Sequence, residues 1–357
     1  MRDNIAGQQK QPRDLFQDIE LSIARRNWTS AIAQARAIGL DAIASDKLRL
    51  VQRAGALLER LEDHAFAARF LAVAGRMEHP SPLPEWDGSP LVGRTLLIIQ
   101  RIRHIGAAIR MSRLIPLAAS RAKHCIVLAE PRLIPLYRRS FPTVEVLEAG
   151  PDDEVAFTRS DVVASYETLM QILATDQAGR IVSLTPLRPD RDAVNIFRCK
   201  YGPKKPLIGI CWHSTNEEKD LPSLGDWSAF LCKLDATYVS IQYGDVRADV
   251  ETMRAQSGAR IVFDETVDSL KNLDLFAAQI ATLDGVVTIS NTGAHMAGAL
   301  NVPMWVILDD KNHLVWPFEA STTGWYGSAV LVRKQRRSWP QVLSLLSIEV
   351  SQYFSKK

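Results

Sequence analysis

Short apolar runs alternate with helical patterns over two long stretches, and this alternation constrains the fold more than any other feature. In the first stretch, runs at 95–100, 124–129 and 144–147 are separated or followed by helical periodicity at 107–119, 131–139 and 161–174. In the second, runs at 207–212, 237–242, 261–263, 286–289 and 304–308 are interleaved with helical patterns at 224–233, 248–256 and 270–282, and a further helix opens at Ala294. Continuous apolar runs suit strands buried on both faces. Strand and helix in turn give a parallel sheet covered by helices on both sides. At 357 residues the chain is too long for one small core. A proline-rich segment at 78–90 and a Gly/Pro/Lys segment at 199–206 divide it. We therefore expect an α/β protein of two doubly wound parallel-sheet domains, at 84–200 and 204–345, facing a cleft. Residues 1–13 read as disordered and 346–357 as a C-terminal tail.

Residues 14–78 carry a different pattern. Apolar residues recur at helical spacing throughout, with breaks near 27–29, 39–41 and 62–64, which predicts about four helices. The segment opening at Asn27-Trp28 is echoed 36 residues later at Asp63-His64. A period in the mid-thirties suggests tetratricopeptide-like (TPR-like) helix pairs. Two readings stay open: a surface for a protein partner, formed by residues 14–77, or a plain helical cap on the next domain.

Charge and cysteine usage narrow the class. A formal net charge of +3 suits an anionic ligand but is no nucleic-acid footprint. Cys125, Cys199, Cys211 and Cys232 show no paired spacing and read as reduced thiols of a cytoplasmic protein. The first residues lack the apolar core of a signal peptide, and no run approaches the roughly 20 apolar residues of a membrane span. Peripheral association with the inner membrane surface stays open.

The most informative stretch is 283–300. A buried strand runs into a tight polar turn, Ser290-Asn291-Thr292-Gly293, and then into a helix rich in small residues. Asn291 or Thr292 can cap that helix. Unpaired N–H groups and the positive end of the helix dipole then converge on one point, which suits a phosphate. His295 either bonds the ligand or packs beneath the turn. Other candidates lie where strands end. Lys219 suits a phosphate or sugar oxygen, and is otherwise a solvated lysine beside Glu217 and Glu218. His213 and Ser214 follow the run at 207–212. Gln242, Tyr243 and Gly244 follow the next, with Gly244 free to adopt positive φ and Tyr243 able to stack on a base. Trp316, Trp325 and Tyr326 either line the cleft or seal it.

These segments, in order, carry a family resemblance. They are 84–97, 208–214 (Ile-Gly-Ile-Cys-Trp-His-Ser), 219–227, 239–245, 274–284, the 283–300 stretch and 325–333. The chain resembles bacterial TPR-repeat glycosyltransferase-like proteins. Their catalytic region is similar to the ADP-heptose lipopolysaccharide heptosyltransferases and, more distantly, to O-GlcNAc transferase. The resemblance implies the two-domain GT-B architecture preceded by a small helical region. It implies a nucleotide-diphosphate sugar donor held by the C-terminal domain, an acceptor glycan or protein hydroxyl on the N-terminal side, and no metal or other cofactor. Donor diphosphate and sugar would then meet Ser290, Asn291, Thr292, Gly293, His295, Lys219, His213 and Ser214, and the nucleotide would meet Gln242, Tyr243 and Gly244.

One departure stands out. The family usually carries Gly-Leu-Gly-Asp after its first strand, and the Asp is its candidate base. Here Gly106 remains, but Ala107 replaces the Asp and cannot accept a proton. His104 is the nearest substitute base. Arg101, Arg103 and Arg110 are expected to make this mouth cationic and suited to an anionic acceptor. The alternatives are a non-catalytic binding protein of the same fold, a scaffold acting through the helical region, or an epimerase of similar shape, for which no convincing carboxylate pair is present.

Overall fold

The structure is a computed structural model that describes residues 12–101, 104–202, 205–310 and 315–356. Four helices come first: α1 (Pro12–Ala24), α2 (Trp28–Ala44), α3 (Leu48–Arg60) and α4 (His64–Glu78). Each packs on the next around small residues, Ala31, Ala35, Ala54, Ala67 and Ala74, with Phe70 and Leu58 filling the space between. The echoed segments mark the starts of α2 and α4, and the Asn27 side chain accepts from Ser30 N at 3.2 Å to cap α2. The break expected at 39–41 is absent. Gly39 lies inside α2, where a Cβ would sit 2.0 Å from the Phe70 ring. Glycine is there for close helix approach, and the turn falls instead at residues 45–47.

The first α/β domain contains β1 (Leu91–Ile99), α5 (Ile105–Ser112), α6 (Ile115–Ala119), β2 (Ala122–Ala129), a 3-10 turn at Pro131–Leu133 and α7 (Ile134–Ser140). It continues with β3 (Glu145–Glu148), α8 (Asp153–Thr158), β4 (Val162–Ser165) and α9 (Tyr166–Leu173). Its sheet has the order β3-β2-β1-β4, all parallel. The helix expected over 161–174 is thus a strand and a helix. Residues 162–165 are all buried, and Ser165 then caps α9 by accepting from Thr168 N. The helical pattern at 107–119 breaks at residues 113–114, just before Pro116, which sits in the first turn of α6, where its missing N–H costs nothing.

α10 (Arg191–Tyr201), a helix for which the sequence analysis names no pattern, leads into the second domain and packs on α13 (Leu273–Ala281). The second domain runs β5 (Leu207–Cys211), α11 (Leu224–Leu231), β6 (Thr237–Ser240), α12 (Arg247–Ser257), β7 (Arg260–Val262), α13, β8 (Gly285–Ile289), α14 (Thr292–Ala299), β9 (Met304–Leu308), β10 (Ala329–Arg333) and α15 (Trp339–Ser355). Its parallel sheet has the order β10-β9-β8-β5-β6-β7. A further strand, β10, follows the run at 304–308 and pairs with it at the sheet edge. The supposed tail is the second half of α15, which buries Trp339, Val342, Leu346 and Val350.

Strand order fixes where a ligand can sit. In the second sheet the chain passes from β5 outward to β7, then returns to place β8 on the other side of β5. A crevice opens at the carboxyl ends of β5 and β8. The first sheet has the same kind of switch between β1 and β4. The two domains meet through α5 and α14, so closely that a Cβ on Gly106 would lie 2.5 Å from His295 Cδ2. No described helix is long and apolar enough to cross a membrane.

Candidate functional site

The β5/β8 crevice is built by side chains that tie three strand ends together. Asn291 is the cap of α14: its Oδ1 accepts from Ala294 N at 3.1 Å, while its Nδ2 donates to Cys211 Sγ at 2.7 Å. Gln242 Oε1 accepts from Trp212 N (3.0 Å), His213 N (2.8 Å) and the Cys211 thiol (3.0 Å), and its Nε2 donates to His213 O. Burial pushes the Cys211 thiol up to about 12, so it stays a neutral donor. The Tyr243 hydroxyl accepts from Thr215 N at 2.7 Å, and Gly244 takes φ +85° in the turn that follows.

Lys219 reaches into this crevice from the loop after β5. Its Nζ donates to the Ser290 carbonyl at 2.5 Å and to Ser214 Oγ at 3.3 Å. Burial lowers its pKa, and the Asp309 carboxylate nearby offsets part of that shift. A cavity of about 390 Å³ opens here, lined in part by Ser214, Lys219, Tyr243, Asn291, Thr292 and Gly293. Among its described lining residues there is no Asp or Glu, while Lys219 and Arg132 are cationic.

Other residues singled out in the sequence lie outside this lining. Ser290 acts as a strut, its Oγ accepting from Trp316 Nε1 at 2.8 Å. His295 stacks on Trp316 at 5.4 Å with the rings 5° from parallel, and its Nδ1 lies 2.9 Å from the Tyr326 hydroxyl. Burial pushes its pKa down to about 3, with Arg110 and Lys219 adding to the shift, so the imidazole is neutral. His213 is exposed and tilted against the Tyr243 ring. Trp316, Trp325 and Tyr326 are buried and seal the domain interface.

On the other side of the cleft, two of the three arginines expected to form a cationic mouth, Arg101 and Arg110, are buried. Arg110 is buried, paired with Glu59 of α3 and stacked 4.4 Å over the Trp325 ring. A guanidinium in a pocket shared by three parts of the chain has no free face for an acceptor. Arg101 is likewise buried against Glu85. Arg103 lies outside the described residues. His104 is exposed at the start of α5, Ile105 beside it lines the cavity, and Gly106 is occupied by its contact with His295. The sequence reading missed Arg132 and the Leu270, Leu273 and Phe276 wall. The signal for Arg132 was its position just past the carboxyl end of β2.

A second cavity, of about 770 Å³, shares Lys219 with the first. It lies between the second domain (Asn216, Phe318) and the helical region, which supplies Phe16 from α1 and Arg53, Leu57 and Arg60 from α3. The helical region is held there by the Phe318 N bond to Arg60 O (3.2 Å), by Arg60 over the Phe318 ring and by Trp28 stacked on it.

No family model matches the chain. Over 268 residues it is 26% identical to the curated protein FlbA of Caulobacter vibrioides, a match covering 68% of this chain and 44% of FlbA, so the chain spans less than half the length of that relative. Among solved structures it is similar to the ADP-heptose lipopolysaccharide heptosyltransferase II of E. coli: 12% identity, 74% of this chain and 100% of that one, TM-score 0.55. It is also similar to a glycosyltransferase family 9 protein of Veillonella parvula: 11% identity, 76% of this chain and 98% of that one, TM-score 0.54. At these identities the likeness is one of fold: two facing parallel-sheet domains in the GT-B arrangement, preceded here by four helices.

Proposed function

We propose that this chain is a glycosyltransferase that moves a sugar from a nucleotide-diphosphate donor to a hydroxyl of a glycan or protein, without a metal ion. The observation that carries this reading is the 390 Å³ cavity. It sits at the switch point of the second sheet, beside the capped start of α14, with cationic walls and no described carboxylate in its lining. Sugar transfer builds negative charge on the leaving diphosphate. Lys219 and the Thr292-Gly293 backbone are fixed where they can stabilise that charge without reorganising. Tyr243 and Phe276 supply apolar wall for the nucleoside. The acceptor approaches through the 770 Å³ cavity, which shares Lys219, and the TPR-like helices form its far wall and a surface for a protein partner. His104 takes the acceptor proton in place of the family Asp. The setting is cytoplasmic, with the inner membrane surface as a possible place of work.

A second reading, binding without transfer, rests on Ala107, on the sequestered Arg110, and on the contact of Gly106 with His295. A thermal-shift and calorimetry series with ADP, GDP, UDP, CDP and their common sugar conjugates tests both. One diphosphate should raise Tm by mass action. Lys219→Met should weaken its binding by about tenfold or more, the worth of a lost charge-assisted bond. No stabilisation by any of these would sink both readings. Binding with neither transfer nor hydrolysis of the conjugate would leave the second.

A further inference from the structure

The geometry points to Arg132 as a donor-binding residue contributed by the first domain, gripping the phosphates of a nucleoside diphosphate from the wall opposite Lys219. This inference rests on the cavity being the donor site. Arg132 follows β2, so it occupies the carboxyl edge of the first sheet, where side chains face the cleft. Its backbone is fixed on both sides. Pro131 precedes it, Leu133 after it is fully buried, and Glu130 accepts from Arg132 N at 3.1 Å. Glu130 also pairs with Nε. The guanidinium then crosses the domain boundary, where Nη1 donates to the Leu270 carbonyl at 2.9 Å, in the segment between β7 and α13.

A guanidinium carries five N–H donors. Two are engaged, one by Glu130 and one by Leu270. Nη2 meets no acceptor among the described residues, and the side chain lines the cavity that holds Lys219, Thr292 and Gly293. Lys219 is the other cationic side chain among the described lining residues. A cavity of this volume is of a size that one small ligand spans from wall to wall. The diphosphate would thus lie between a point charge on the second domain and a planar fork on the first. In the free protein Glu130 holds the fork in place. In the complex the phosphates take the remaining donors, and the ligand joins the two domains where Leu270 already links them.

Calorimetry on the full chain separates this from a structural role. The probes are ADP, GDP, UDP and CDP, with the matching nucleosides followed by thermal shift. We expect Arg132→Met to weaken the diphosphate that binds the wild-type protein by about tenfold, with a shallower dependence of affinity on salt. Arg132→Lys should recover part of the loss. The nucleoside shift should be the same in both proteins, because an uncharged ligand has nothing to give the fork. Equal diphosphate affinity in Arg132→Met and wild type overturns the Arg132 assignment while leaving the donor site standing. A loss that is equally large for nucleoside and diphosphate also overturns it, in favour of a purely structural link to Leu270. If the wild-type protein binds none of the four diphosphates, the donor-site reading itself fails. Arg132→Gln serves if the Met variant does not fold.

Discussion

The two sheets present the same topological opportunity and use it in opposite ways. Each has a switch point, between β5 and β8 in the second domain and between β1 and β4 in the first. At β5/β8 the strand ends are tied back by Gln242, Cys211 and Asn291, which leaves the N-terminus of α14 facing a cavity. At β1/β4 the crevice is filled. Arg101 pairs with Glu85, Thr168 bonds Glu85 at 3.4 Å, and α4 packs over them so closely that a Cβ on Gly75 would lie 3.4 Å from Arg101 Cδ. The helical region occupies the place where an acceptor was expected. A strand-end crevice is therefore open to a ligand only where the rest of the chain leaves it empty. The sharpest test is to break each side separately and ask which property is lost.

The largest expected effect is on the filled side. Arg110 and Glu59 each expose only 3% of their side chains, and their pair joins α3, α5 and the Trp325 ring. Arg110→Ala leaves Glu59 buried without its partner, and should cost about 3–5 kcal/mol of stability. Urea unfolding would show a lower midpoint, and the double variant Glu59→Gln/Arg110→Met should regain most of it. The affinity of the folded Arg110→Ala protein for a nucleoside diphosphate should stay within about twofold of wild type, if the filled crevice is structural. A tenfold loss of affinity would break the comparison.

The next effect lies on the seam between the two sides. Burial holds the His295 pKa at about 3, against an ordinary 6.5. As pH falls through 6.5 the unfolded chain takes up a proton there, and the folded chain does not until near pH 3. The stabilisation from the neutral imidazole is full above pH 6.5 and is lost progressively as pH falls toward 3. Between pH 7 and pH 5 the loss should be about 2 kcal/mol. His64 is half-buried, and desolvation lowers its pKa too, so it adds in the same direction. Unfolding midpoints at the two pH values check this, and His295→Gln should flatten the dependence. An unchanged slope in that variant would mean the seam is not what the acid disrupts.

Much of the open side was legible in the sequence, because its signals are local. The apolar runs of β5, β8 and β9 are buried on both faces, and the Ser290-Asn291-Thr292-Gly293 turn announces a capped helix within a few residues. The filled side was not legible, because its logic is made of long-range pairs. Arg110 looked exposed and cationic until Glu59, 51 positions away, neutralised it, and Arg132 acquires its place from a carbonyl 138 positions on. Short elements hid for a different reason. The strand at 162–165 runs straight into α9, its last residue Ser165 serving as the helix cap, so no Gly or Pro marks the change of period. Gly39 misled the other way, since a glycine that admits a Phe ring looks the same in sequence as one that ends a helix.

The smallest effect compares the starts of the two helices that face each other across the seam. Both α14 and α5 begin just after a strand at a switch point. The Asn291 side chain accepts from Ala294 N, whereas His104 makes no side-chain bond to the start of α5. Asn291→Ala removes a cap and the bond to Cys211, and should cost about 1 kcal/mol. His104→Ala should change stability by less than about 0.5 kcal/mol, as for a surface position without such a bond. The same two variants divide function in the reverse order. Asn291→Ala loosens the backbone donors at Thr292 and Gly293, so it should weaken diphosphate binding. His104→Ala should leave that binding unchanged and slow only the transfer step, because a base acts on the acceptor and not on the donor. Full turnover in His104→Ala would remove it as the base. If the two variants proved equal in both stability and binding, the two helix starts would be equivalent after all, and the case for a ligand at α14 would lose its local support.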